Sequence, residues 1–138
     1  MRLEITRRAE LAIRALALLG TTSDRLKAPA LAAELGTTVA FVPQVVGPLV
    51  KAGWVRSDPG PTGGYRATTT LAAVNVLEVI EAVDGPTDAG RCVVADRPCR
   101  SEQPCVLHLA WTLALAELLG VLRATPMSMV GATDAVVA

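Results

Sequence analysis

The chain has one histidine, three cysteines and no surplus of either charge among its 138 residues. Each shortage removes a class of protein. Three cysteines cannot form an even disulfide framework, and a reducing compartment would keep such bonds open, so metal ligation or thiol chemistry is the better use for them. The start, Met1-Arg-Leu-Glu followed by Arg7 and Arg8, lacks the apolar run and small-residue cleavage site of an export signal, so the expected location is cytoplasmic. No nucleophile–base pair or paired carboxylate stands in a recognisable frame, and catalysis is not expected. The most apolar stretch, residues 106–122, is just short of a membrane span and contains His108 and Glu117, which are costly in lipid; no membrane partner is expected.

The zero net charge conceals an asymmetry. Residues 1–66 carry nine Lys/Arg against five Asp/Glu, whereas residues 67–138 carry four against eight. A front half with four surplus positive charges is what a DNA-facing surface requires, and the acidic back half is left for another task.

Apolar periodicity divides the front half into short helices. Ile5, Ala9, Ala12, Leu16 and Leu19 recur at helical spacing and Gly20 follows as a stop. Pro29 suits the first turn of a second, alanine-rich helix that ends at Gly36. Thr37 and Thr38 can cap a third, whose face is Val39, Val42, Val45, Val46 and Leu49. A short helix, a glycine turn and a second helix form a helix-turn-helix. Pro43 and Pro48 fall inside that third helix, which should therefore be kinked or start late.

Two short strands, around 53–56 and 65–67, flank a turn-rich run, and a hairpin after a helix-turn-helix is a wing. Asn75 with Glu78 makes a capping-box start for a fourth helix that Gly85-Pro86 ends. The expected fold is mainly α with a small β wing: a winged helix-turn-helix over 1–86, a cysteine loop over 87–105, a long C-terminal dimerisation helix and following segment over 106–131, and a tail over 132–138. Residues 106–122 are apolar nearly all round, and a chain of this size lacks the surface to cover such a helix. Pairing with a second copy would.

Chemistry concentrates at Cys92, Cys99 and Cys105, three thiols within fourteen residues of a loop rich in Asp, Arg and Pro. Thiolates select iron–sulfur clusters, zinc or copper(I), and spacing alone does not name the metal. His108, three residues after Cys105 at a helix start, is a candidate fourth ligand, and Glu10 is an oxygen alternative if a partner subunit brings the first helix near. On the DNA side the candidates are Thr38, Ala40, Phe41 and Gln44 on the third helix, Gln being a bidentate reader of adenine. Arg7, Arg8, Lys51, Arg56 and Arg66 are candidate phosphate contacts, with Gly60 and Gly63 in the wing.

Several features taken together resemble one family. These are the opening Met-Arg-Leu, the helix-turn-helix, the Gly-Pro-Thr-Gly-Gly-Tyr wing at 60–65, and the Val-Ile-Glu-Ala-Val-Asp-Gly segment at 79–85. The three-cysteine loop, followed by Leu107-His108 and Trp111, completes the set. The whole chain is similar to the Rrf-two regulators, in particular to IscR-like and NsrR-like iron–sulfur sensors. The resemblance implies a DNA-binding homodimer and not an enzyme: a repressor that binds a double-stranded operator and senses redox state, nitric oxide or iron–sulfur supply. It further implies a two-iron cluster held by Cys92, Cys99, Cys105 and His108, with a four-iron cluster as the alternative. Three departures stand out: an extra residue between the first two cysteines, Arg8 where NsrR-like members use an acidic ligand, and Pro43 and Pro59 where base-reading members carry Glu and Arg. A zinc-bound or cluster-free thiol switch, or a small iron–sulfur electron-transfer or carrier protein, are the alternative readings.

Overall fold

A computed structural model describes residues 1–94, 97–98 and 102–131. Its elements are α1 (Arg7–Gly20), α2 (Ala28–Leu35), a 3-10 turn (Val39–Phe41), α3 (Val42–Lys51), β1 (Val55–Asp58), β2 (Gly64–Ala67), a second 3-10 turn (Leu71–Ala73), α4 (Val76–Asp84), α5 (His108–Arg123) and α6 (Met127–Gly131).

Helix α1 is the hub, packing against α2, α3, α4, α6 and β2. Its buried residues Ala9, Leu11, Ala12, Ile13, Ala15, Leu16 and Leu19 cover more than one face, and the alanines let neighbouring helices approach closely. Ile5, expected on this helix, precedes it and is exposed. The helix begins instead at Thr6, whose hydroxyl accepts the Ala9 N–H at 3.1 Å.

Gly36 at φ 68° ends α2, and its N–H reaches back to the last-turn carbonyls, as a left-handed helix cap requires. From α2 to the 39–51 helical stretch the chain turns by 103°, within the range of helix-turn-helix pairs. The prolines explain the late start of α3: Pro43 lies in its first turn, where an amide donor is not needed, and Thr38 caps a 3-10 turn ahead of it. Pro48 remains inside the helix.

Strands β1 and β2 pair antiparallel with Val55 opposite Ala67 and Asp58 opposite Gly64. Leu26, in the α1–α2 loop, adds a third partner: its N–H donates to the Tyr65 carbonyl at 3.0 Å and its carbonyl accepts from the Tyr65 N–H at 2.8 Å. The capping box of α4 is complete, with Asn75 Oδ1 accepting from the Glu78 N–H and Glu78 Oε2 accepting from the Asn75 N–H.

After α5 the chain returns to the head, an outcome not read from the sequence. Val76 N–H donates to Thr125 O, Met127 N–H donates to Val74 O, and Met127 is fully buried. Helix α6 thus seals the core against α1, whereas α5 packs chiefly on α4 and contains no buried residue.

Candidate functional site

The exposed face of α3 is what remains once Val42, Val45, Val46 and Leu49 are buried. It presents Pro43, Gln44, Gly47 and Lys51, with Ala40 just ahead and Phe41 half-buried against the core. Gln44 and Lys51 are the only side chains of this face with hydrogen-bonding groups, an amide suited to a base edge and an ammonium suited to phosphate. Thr38 spends its hydroxyl on the Phe41 N–H.

The wing forms the second basic surface. Arg56 and Arg66 stand opposite each other in the ladder. Asp58 Oδ1 accepts from Arg56 Nε at 2.9 Å, while its other oxygen faces Arg25 Nη2 at 3.2 Å, an ion pair without hydrogen-bond alignment. Arg25 also donates to the Thr62 carbonyl, and Lys27 donates to the Pro61 carbonyl. Sequence reading missed Arg25 and Lys27; the available signal was a basic pair bracketing Leu26 at strand-like alternation. Gly60, at φ 92°, is exposed at the wing tip, whereas Gly63 is buried, and a Cβ on it would lie 2.0 Å from the Asp58 carbonyl oxygen.

The remaining candidates lie elsewhere. Arg7 pairs with Glu10, which also holds Arg14 at 3.3 Å. Arg8 donates to the Val83 carbonyl and faces Asp84 at 4.0 Å, at the carbonyl end of α4 where a cation is favoured. Thr6 donates to Asp84 at 2.7 Å. Thr6 and Arg8 therefore clamp the start of α1 to the end of α4, the point from which the cysteine loop departs.

In that loop Cys92 N–H donates to the Arg97 carbonyl at 2.8 Å, and Arg91 bridges Pro98. Cys92 and Cys105 are half-buried, and the His108 N–H donates to the Cys105 carbonyl at 3.0 Å, so this thiol and imidazole share the turn that opens α5. Cys99 and the 132–138 tail lie outside the described residues. Among the described residues no three His, Cys, Asp or Glu side chains converge on a metal position. The donor set itself, two soft thiols with an imidazole on an adjoining turn, suits an iron–sulfur cluster or zinc.

A helix-turn-helix followed by a two-stranded wing, with a cysteine loop leading into a separate apolar helix, defines a winged-helix regulator. The comparisons agree with that class: residues 5–132 match the Rrf2 family, described as iron-dependent transcriptional regulators, and the chain belongs to it. It is 38% identical over 76 residues to a putative helix-turn-helix regulator of Azotobacter vinelandii, covering 55% of this chain and 46% of that protein. It is 36% identical over 76 residues to the regulator IscR of Vibrio cholerae, covering 55% and 43%. The matches thus span about half the length of these relatives. Among solved structures, CymR, the global cysteine regulator of B. subtilis, superposes with a TM-score of 0.75 at 21% identity over 96% of this chain and all of that one. The IscR of T. potens gives 0.73 at 18%, covering 96% and 90%. At these identities the likeness is one of fold.

Proposed function

We propose that this chain is a homodimeric, DNA-binding transcription repressor that binds an operator duplex through α3 and the wing and holds an iron–sulfur cluster on Cys92, Cys99, Cys105 and His108. The observation that carries the reading is the position of the cysteine loop. It leaves α4 at Asp84, where Thr6 and Arg8 tie α4 to α1, and it enters α5 through the turn shared by Cys105 and His108. Whatever state the thiols adopt therefore acts on the junction between the reading head and α5. A bound cluster supplies reversible one-electron chemistry and reactivity toward nitric oxide there. The residues of this chain convert a change in the loop into a change in how two heads are spaced, and operator affinity follows that spacing.

The test is an anaerobic absorbance spectrum with iron and sulfide analysis of the protein and of its Cys99→Ala variant, with DNA titration of each. The expected outcome is visible charge-transfer absorbance that the substitution abolishes, together with loss of any dependence of DNA affinity on oxidant or nitric oxide. A colourless protein that still binds DNA after anaerobic reconstitution would replace the cluster with zinc or a bare thiol switch.

A further inference from the structure

The wing carries a feature that base readout and cluster chemistry leave unexplained: a carboxylate at the centre of its basic surface. Four cations, Arg25, Lys27, Arg56 and Arg66, belong to the wing or bond to it, and Asp58 lies among them with its side chain 19% exposed. Arg56 and Arg66 are directly opposed across the strands, which like charges disfavour. Asp58 lies two residues along on the same face and binds Arg56 at 2.9 Å. Its second oxygen draws in Arg25 from a different part of the chain, thirty-three positions earlier, at 3.2 Å. Arg25 then holds Thr62, Lys27 holds Pro61, and Leu26 between them pairs in both directions with Tyr65. The wing is thus bound to the α1–α2 loop at Pro61, Thr62 and Tyr65.

We propose that Asp58 is a positioning residue for DNA binding: it gathers Arg25 and Arg56 into one preformed phosphate-binding surface and holds the wing at a set place beside α3. This inference rests on the DNA-binding reading above. Its distinctive consequence is a sign. Considered only as a point charge, Asp58 repels DNA, so removing its charge should tighten binding and steepen the salt dependence. As a positioning residue it has the opposite effect, because its removal frees Arg25, lets the wing loop move and disperses two guanidinium groups.

The experiment measures binding to a fluorescent duplex of mixed sequence, about three helical turns long, across a salt series, since binding to phosphates is independent of sequence. Asp58→Asn is expected to bind about three- to tenfold more weakly than wild type, with a log–log salt slope shallower by about 0.9 for each phosphate that the variant no longer neutralises. Arg25→Ala should weaken binding by a similar factor, and the double variant by little more than either alone. Asp58→Glu, which keeps the charge but moves the carboxylate, supplies the same test if the Asn variant does not fold; positioning predicts weaker binding at unchanged charge. Asp58→Asn binding as tightly as or more tightly than wild type, or Asp58→Glu binding like wild type, overturns the positioning role while leaving the DNA-binding reading intact. Absence of salt-dependent binding by the wild type itself overturns both.

Discussion

Single side chains in this protein serve by closing the ends of helices. Asn75 and Glu78 satisfy each other's backbone donors at the start of α4, and Thr6 both caps α1 and donates to Asp84. Replacing Asn75 by Ala leaves the Glu78 amide without its acceptor and should cost about 1 kcal/mol. In urea unfolding the midpoint should fall with an unchanged slope, and an unchanged midpoint would show that the cap contributes nothing. Glu10 shows how pairing constrains a candidate ligand: one oxygen engages Arg7 and the other Arg14, so a metal would compete with an arginine at either oxygen.

At the level of elements, the wing depends on close backbone approach as well as on charge. A Cβ at Gly63 would lie 2.0 Å from the Asp58 carbonyl oxygen, and one at Gly64, where φ is 135°, would lie 2.9 Å from the Leu26 carbonyl oxygen. Gly63→Ala must therefore displace the hairpin, at a cost on the order of 1–3 kcal/mol. The expected result is weakened binding to duplex DNA from a protein whose helical circular dichroism is retained; DNA binding equal to wild type would mean that the wing does not touch the duplex. The third helix poses the converse problem. Its two prolines read from sequence as defects, yet Pro43 occupies a turn that requires no donor, and only Pro48 removes an interior hydrogen bond.

On the scale of the whole molecule, the unpaired surface is α5. Leu109 and Leu113 are 69% and 63% exposed, and Trp111, Leu118 and Val121 are exposed beside them, a patch that water-facing helices rarely carry. A second copy of α5 is the occupant that the proposed dimer supplies. Leu113→Glu would place a charge in that interface, and sedimentation should shift from dimer toward monomer with weakened binding to a two-site operator. A variant that sediments as the wild type does would remove α5 from the interface.

Local rules written in the sequence determined most of the head. The periodicity of apolar residues, the Gly36 and Gly85 stops, the Asn75 capping box and the glycine-rich wing turn each act over a few residues, so the helix-turn-helix, the hairpin and α4 were legible from the chain alone. The three thiols raised the expectation of soft-ligand chemistry through residue type alone. What only the tertiary structure decided depends on pairs of residues distant in sequence: Arg25 reaching Asp58, Thr6 and Arg8 clasping Asp84, and Met127 returning to the core beneath α1. No periodicity encodes these, because each depends on where the backbone has already carried two separate segments. The basic front half was legible in the order of charges, but that Arg25 and Lys27 join Arg56 and Arg66 at the wing was not, since charge acts through distance in space and not through order along the chain.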